Sequence, residues 1–562
     1  MNLRRSWRRY RKRFGSRATL RQDLRAGVVL GVESIPDGLA AGVLAGVNPL
    51  FGLNAYIVGT LAGALTTGSV LMTVQATGAM AVIIGDVPQV HGEGSATAIA
   101  TLTVMAGIVM LGLGLAGAGS LVRFIPSAVL FGFVNAVAVN IVLSQIENLT
   151  GYQSDAGSRI GRAGDTLLHL PQVSWWSLLV GLLTVALILL LERTPLGALS
   201  MVVAIIAGSL VAFLLPDGAV ATIGEVATIE RQLPSLTWPS LLLAFDLIVP
   251  ALSLALVGLV QGAAISGSVP NPDGRYPSAS ADFRGQGVAN IASGMLQGIP
   301  VGGSMSATAL VATAGARTAT ANVFAAMVMI ATVLIFAPLI GYIAMPALAG
   351  LLIVVGVRSV KVAQIALVFR TGTVQAGIFL VTFVLTLFIP LQYAVLAGVG
   401  LAVVLHIARQ SNRVRVTRWE FDAGETRPRE LPAPESIGPR EIVVLNPYGA
   451  LFFASSEAFR AQLPDAGEDA HQSYVIVRLR GTDELGVTFL TMLRKYSADL
   501  AAVGATLMVA GVGERVVSQL RMTGLSEEIG RENVFPAEAR VGDAVLRARA
   551  EAVRRQAEAG VE

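Results

Sequence analysis

Cysteine is missing altogether from this chain of 562 residues, which removes disulfides, thiolate nucleophiles and thiolate metal sites. Histidine is nearly missing: His91, His169, His406 and His471 lie far apart and hold no ligand spacing. Charge is thin as well, with Asp, Glu, Lys and Arg at 14% where a soluble protein carries about 25%. These absences argue against an enzyme built on a bound metal or a strong nucleophile, and no cofactor is expected. What the chain has instead is apolar residues, 54% of the total, with 60 glycines and a mean hydropathy of +0.67. Lipid is the expected solvent for most of it, and glycine lets membrane helices approach closely.

A basic arm (Arg4, Arg5, Arg8, Arg9, Arg11, Lys12, Arg13, Arg17) precedes a full-length apolar segment and carries no acid before Asp23. A secretory signal would need a short apolar run and a small-residue cleavage site. By the positive-inside rule this arm, residues 1–20, stays in the cytoplasm. Nucleic acid is the competing partner for such an arm, but anionic lipid headgroups account for it more simply, and no nucleic-acid partner is expected. Residues 21–415 then read as a transmembrane domain, with clear spans at Val173–Leu191, Leu196–Leu215, Leu241–Val260, Val323–Ala344 and Gly377–Leu391. Others are shorter or broken by Gly and Pro, and the total comes to about 12 to 14 crossings. An even number returns the C-terminus to the cytoplasm, and Arg409, Arg413, Arg415 and Arg418 after the last span agree. The expected location is a bacterial-type inner membrane, multi-pass, with both termini cytoplasmic.

The pattern changes after Trp419. Residues 416–440 read as a linker, rich in Pro and Glu between Glu425 and Pro439. Residues 441–556 read as a small cytosolic α/β domain. Its strands fall at Glu441–Leu445, Tyr474–Leu479 and Thr506–Val509, and its helices at Val487–Val503 and Glu514–Thr523. Within the membrane region, Phe124–Gly132 resembles Tyr342–Gly350 without a gap, and two Gly-rich interrupted segments, Val74–Gly85 and Gly302–Gly315, stand a similar distance apart. Paired interrupted segments in corresponding halves point to a transporter's binding site; chance likeness among apolar runs is the rival explanation.

Several motifs resemble the sulfate permease (SulP) family of anion transporters. They are Ile35-Pro36-Asp37-Gly38-Leu39-Ala40 with Ala45–Leu53, Gln75-Ala76-Thr77-Gly78-Ala79-Met80, Arg284–Ile291, and Gly303-Ser304-Met305-Ser306-Ala307-Thr308 with Ala314–Thr318. The tail resembles the STAS domain that such transporters carry. The resemblance implies about 14 transmembrane helices as a seven-plus-seven inverted repeat, a core domain rocking against a gate domain, and a homodimer. It places the substrate between the N-termini of the third and tenth helices, at Thr77, Gly78, Ala79, Gly303, Ser304, Ser306, Ala307 and Thr308. Helix N-termini begun near the midplane aim unpaired N–H groups and positive dipole ends into a cavity, which suits an anion. The plainer alternative is that the glycines at 78, 302 and 303 serve helix packing alone.

Three departures fall inside that expected site. The resemblance implies an Arg in the tenth-helix motif, where this chain has Ala307, and an acid on the eighth helix, where it has Gln261. It also implies Gln after the first-helix proline, where this chain has Asp37. An ionisable group inside a membrane helix is by default a functional hypothesis. Asp37 and Glu33, four residues apart, share a helix face and do not both ionise easily, so they are the candidate coupling residues. Gln261 offers only an amide oxygen, which argues against sodium coupling through the eighth helix. Arg123, Glu192, Arg193, Arg358, Lys361 and Arg370 lie near helix ends and read as structural, and Arg317 reads as an anchor for the tenth half-helix. In the tail, Thr488 is kept but Gly486 stands where the implied Asp would precede a phosphorylation site, so packing or a dimer contact is expected there rather than a kinase switch.

The expected activity is secondary active or facilitated transport of a small anion of the sulfate, bicarbonate, chloride or dicarboxylate class. Two rivals remain at this point. One is a proton-coupled permease for a neutral or weakly acidic solute such as a nucleobase, favoured by the missing Arg. The other is a membrane sensor signalling through the tail, disfavoured because a sensor needs no midplane cavity.

Overall fold

The computed structural model describes residues 13–14, 19–92, 94–119, 126–226, 233–411, 414–422 and 427–559. Of the basic residues of the arm only Arg13 falls among them; the others, Arg123, the first two residues of the Phe124–Gly132 match and Arg413 lie outside. The chain divides into two compact units, Met1–Ala402 and Val403–Glu562.

In the first unit, and through the helix that continues past Ala402, the order of elements repeats. One series is α1 (Leu20–Leu44), α2 (Pro49–Thr66), strand β1 (Thr73–Gln75) with α3 (Gly78–Gly85), α4 (Ser95–Leu115), α5 (Ser127–Ser144), α6 (Trp175–Leu191) and α7 (Ser200–Phe213). The other is α8 (Ile248–Ser268), α9 (Ala279–Met295), strand β2 (Gly302–Ser304) with α10 (Met305–Thr313), α11 (Thr320–Ile340), α12 (Met345–Ser359), α13 (Thr373–Phe388) and α14 (Leu391–Ser411). Seven helical segments of the described chain are long and apolar enough to cross a membrane, among them α1, α4, α8 and α11, and α6, α7 and α13 are shorter apolar helices.

One expected span moves. The run from Leu241 breaks after the short helix Leu241–Ala244, and the long helix starts at Ile248. Leu241 and Leu242 are about nine-tenths exposed. Pro250 falls in the first turn of α8, where a missing N–H is harmless, so the helix start was written in the sequence by Pro250 and the polar Asp246 rather than by hydropathy.

Two bundles are visible in the packing. The first joins α1–α4 with α8–α11. Its tightest seams depend on small residues: a Cβ at Gly27 or Gly31 would meet the α11 backbone at 2.5 Å and 2.8 Å, and one at Gly107 would meet the Gly287 carbonyl of α9 at 2.8 Å. Such close approach replaces the hydrophobic driving force that lipid cannot supply between helices. The second bundle joins α5–α7 with α12 and α13; a Cβ at Gly132 would meet the Phe379 carbonyl at 2.7 Å, and one at Gly350 would meet the Gly181 carbonyl at 2.8 Å. Arg358 at the end of α12 pairs with Glu192 at the end of α6, which accounts for two of the charges read as structural.

Two buried carboxylates hold the first bundle's irregular segments. Asp282 of α9 accepts from the Ser69 amide (2.7 Å) and hydroxyl (2.6 Å) ahead of β1, and from Ser266 of α8 (2.5 Å). Asp23 of α1 accepts from the amides of Arg317 (2.7 Å) and Thr318 (3.0 Å) and from the Thr318 hydroxyl (2.7 Å) after α10. Both are fully buried, and a buried carboxylate persists only when its oxygens are filled in this way. Arg317 thus anchors the end of α10 through its backbone.

The second unit is a six-stranded sheet in the order β8-β7-β6-β5-β3-β4, with β3 (Arg415–Glu420), β4 (Arg429–Pro432), β5 (Ile442–Tyr448), β6 (Tyr474–Arg478), β7 (Thr506–Val512) and β8 (Val534–Pro536). Its β8–β7–β6–β5 part is parallel, and β3 and β4 extend it antiparallel. The alternation of the strands divides two cores. Val475, Val477, Leu507 and Val509 pack with Phe489, Leu493 and Tyr496 of α15 (Val487–Ala502), while Ile476, Met508 and Ala510 pack with Val545, Ala548 and Ala552 of α17 (Asp543–Ala559). α16 (Glu514–Met522) closes the first face. The expected linker is corrected here: β3 and β4 lie within 415–432 and pair in register Thr417↔Pro432 to Glu420↔Arg429, because a proline on an edge strand can leave its missing N–H toward solvent.

Replacing Asp282 by alanine leaves the buried Ser69 amide and hydroxyl unpaired, while Ser266 keeps the Gly262 carbonyl at 2.9 Å, and lowers stability by about 3 kcal/mol. Thermal unfolding in detergent should show Asp282→Ala well below the parent and Asp282→Asn between them.

Candidate functional site

Both halves of the first unit carry the same device, a three-residue strand leading into a short helix. β1 and β2 pair antiparallel, Thr73↔Ser304, Val74↔Gly303 and Gln75↔Gly302, as a two-fold relation between the halves would place them. Because the strands run in opposite directions, α3 and α10 leave the ribbon in opposite directions and both N-termini stay at it. α3 has eight residues and α10 nine, about 12 to 14 Å each, so neither crosses a bilayer alone.

The first turn of a helix leaves its N–H groups without internal acceptors. Thr77 Oγ1 accepts from the Met80 amide (3.4 Å) and Ser304 Oγ from the Ala307 amide (3.3 Å). The amides of Gly78 and Ala79 on one side and of Met305 and Ser306 on the other are left at the helix starts. Each terminus carries roughly half a positive charge. Thr77 also donates to Gln261 Oε1 of α8 at 3.1 Å, so the amide oxygen of Gln261 is engaged at the start of α3.

Glycine at 302 and 303 is a packing requirement as well as a site feature. A Cβ at Gly302 would sit 3.0 Å from the Gly258 Cα, and one at Gly303 would sit 3.0 Å from the Gly262 Cα and 2.9 Å from Ile265. The Gly303 amide donates to Gln286 Oε1 at 3.1 Å, and Asn290 brackets Val301 through both of its side-chain ends (2.6 and 2.9 Å). These contacts press β2 against α8 and α9, which is what brings Gln261 to Thr77.

The expected site residues do not all face one space. Thr77, Gly78, Gln261 and Ser304 are half-buried at the ribbon, and Ser306 is exposed beside Met305, itself 45% exposed. Ala79 is buried and contributes its backbone. Thr308 is fully buried, accepting from the Thr73 amide (3.0 Å) and donating to the Ser304 carbonyl (2.6 Å), so it pegs the ribbon. Ala307 is buried in an apolar cluster with Ala26, Leu30, Leu71, Val311 and Ala321. Its side-chain position is therefore spent on the seam with α1 and α11. Sequence reading passed over Ser34, Gln75 and Met305. Gln75 donates to Ser34 of α1 at 2.9 Å, and both are buried; a polar pair within apolar segments is the signal that could have found them.

The Ser34–Gln75 bond also fixes the height of α1. Asp37 lies three residues, about 4.5 Å, further along that helix, toward the level where α3 begins. Leu44, on the same helix face as Glu33 and Asp37, reaches within 4.0 Å of the Cβ position at Gly78. Glu33 and Asp37 are both half-buried in the middle of α1, interact electrostatically with each other, and have no ion-pair or hydrogen-bond partner among the described residues. Tyr56 of α2 lies within electrostatic reach of both. No cluster of metal-ligating side chains occurs among the described residues.

The model of the sulfate permease family matches residues 20–382, more than half of the chain. The chain belongs to the sulfate permease family. A STAS domain matches residues 433–541, on the sheet unit. Among curated sulfate permease relatives, the chain is 25% identical over 522 residues to the putative sulfate transporter YvdB of Bacillus subtilis, covering 92% of this chain and 96% of that one. It is 28% identical over 405 residues to the bicarbonate transporter BicA of Picosynechococcus, covering 70% and 71%. Among solved structures, that of SLC26A9 agrees with a TM-score of 0.83 at 18% identity, over 97% of this chain and 93% of that one. The transmembrane domain of a cyanobacterial BicA agrees with a TM-score of 0.59 at 24% identity, over 70% and 99%. The fold is that of a helical membrane transporter with a C-terminal STAS domain.

Gly303→Ala should displace β2 from α8 and break the Thr77–Gln261 contact. The expected result is transport reduced at least about tenfold with the protein still inserted and monodisperse, measured by uptake alongside size-exclusion chromatography.

Proposed function

We propose that this sulfate permease family member moves a small anion across a membrane by alternating access, with the anion held between the N-termini of α3 and α10. The observation that carries the reading is the antiparallel β1–β2 ribbon, which starts two short helices at one place and turns both sets of unpaired amides toward it. The relatives' names support the substrate class: one is called a sulfate transporter and another a bicarbonate transporter. Sulfate, bicarbonate, chloride and dicarboxylates are the candidates. Membership of an anion-transporting family argues against the nucleobase alternative, and the interrupted helices argue against a sensor.

Substrate contacts come from the Gly78, Ala79, Met305 and Ser306 amides, with Thr77, Ser304, Ser306 and the Gln261 amide at the edge. Asp37, with Glu33 one turn away, is the coupling group. Protonated, Asp37 leaves the anion's charge uncontested; ionised, it repels the anion once the first bundle has moved. A bacterial-type inner membrane, cytoplasmic termini and a homodimer complete the reading, supported by the basic arm, the basic residues after α14 and the family resemblance.

The test is uptake into proteoliposomes of labelled sulfate, bicarbonate, chloride and a dicarboxylate, under an imposed pH gradient and in its absence. Asp37→Asn, which keeps the shape and cannot titrate, should abolish the response to the gradient while exchange of anion for anion continues. Full gradient-driven uptake by Asp37→Asn would make Asp37 a polar wall of the site and nothing more.

A further inference from the structure

The far end of α3 is held by a side chain from the other bundle. Arg159 begins the helix Arg159–Leu168, which lies in the chain between α5 and α6. Its Nη2 is 2.7 Å from Asp86 Oδ1 and 3.2 Å from the carbonyl oxygen of Val82. Asp86 is the residue that ends α3, and Val82 is inside its last turn. The two charged side chains are 14% and 15% exposed, so this pair is shielded in a way that the ion pairs of the second unit are not. The guanidinium also meets the negative end of the α3 dipole, where a cation is favoured.

The helix that carries Arg159 is fastened to its own bundle. Ser158 caps it by accepting from the Gly161 amide (3.0 Å), and Arg162 pairs with Glu147 (2.9 Å) in the short helix Ile146–Thr150 that follows α5. Asp165 accepts from Ser154 (2.6 Å) and Tyr152 (3.2 Å) and pairs with His169 (3.0 Å). The bracket is therefore rigid toward α5 and reaches across to α3 through one side chain. On the α3 side, His91 lies 3.3 Å from the Gly85 carbonyl and 3.1 Å from that of Gly46, which ties the same helix end into the first bundle.

We infer that Arg159 is a positioning residue for transport: its pair with Asp86 latches α3 to the second bundle in the arrangement seen here, and must open each time the first bundle moves. The inference rests on the alternating-access reading. α3 is a short rod with the anion site at one end and the latch at the other, so holding its far end holds the site in place. A latch of this kind touches no substrate. It sets the relative population of the two arrangements and the rate of passing between them, and it leaves the affinity of the amides for the anion nearly unchanged. A merely structural ion pair would instead change stability and leave both the populations and the rate as they were.

The absence of cysteine makes the test direct. Cysteines placed at Leu115, at the exposed end of α4, and at Leu168, at the exposed end of the bracket helix, carry spin labels for double electron–electron resonance on the full chain in lipid. Asp86→Asn and Arg159→Gln should each add a second distance population. Each should change the maximal velocity by at least about threefold while KM moves less than about twofold, measured with whichever of labelled sulfate, bicarbonate or chloride is taken up fastest. The charge swap, Asp86→Arg with Arg159→Asp, should bring distances and velocity back toward the parent. Unchanged distances in both single variants, or a swap as altered as either single variant, overturns the latch. Should the parent take up none of the anions while the distances still respond to the variants, the latch stands and the proposed transport of these anions falls.

Discussion

A helix that starts inside an apolar slab brings its first-turn amides with it, and those amides must find acceptors. Most of the first unit's irregularity follows from that constraint. The ribbon of β1 and β2 pairs the backbone just before each start, and Thr77 and Ser304 each take one first-turn amide. Asp282 and Asp23 fill the donors of the turns before β1 and after α10. What remains unfilled is a small set of N–H groups at two converging positive dipole ends. On the proposed reading an anion completes the hydrogen bonding that the fold leaves open, so that binding at this place would need no lysine or arginine.

The missing cation changes the electrostatic balance. Two helix termini together supply roughly one positive charge, and the nearby acids Glu33 and Asp37 have no basic partner among the described residues. With both acids ionised the region is net negative and repels an anion; with protons on them the helix ends prevail. On the proposed reading, proton movement and anion movement are linked by Coulomb repulsion between these acids and the anion. Ala307 fits the same account. Its methyl is packed in the seam between α10, α1 and α11, so a long cationic side chain there would have to leave through that seam or unpack it.

Much of this was legible in the chain. The richness in glycine, the Gly-rich interruptions at 78 and 302–303, and the strand-like runs Tyr474–Leu479 and Thr506–Val509 carried the close helix seams, the half-helices and the sheet. Hydropathy failed where a helix start is marked by polar and imino residues, as at Asp246 and Pro250, and composition failed at 415–432, where Pro and Glu sit on the paired strands β3 and β4. α17 was passed over although Ala544, Ala548 and Ala552 repeat every four residues, because its mean polarity hid a narrow apolar stripe. Arg159 had no local signal at all: a charged residue in a polar connection is ordinary, and only the fold brings it to Asp86. The side-chain directions of Ala307 and Thr308 were likewise beyond the motif that named them.

The central claim is that the anion sits against the amides at the starts of α3 and α10. Anomalous diffraction from crystals of the full chain grown with bromide, and separately with selenate, tests it most directly. The account predicts an anomalous peak within hydrogen-bond distance of the Gly78 or Ala79 amide and of the Met305 or Ser306 amide, for at least one of the two anions. A peak placed elsewhere in the first unit, or α3 and α10 found as parts of unbroken helices, would contradict it.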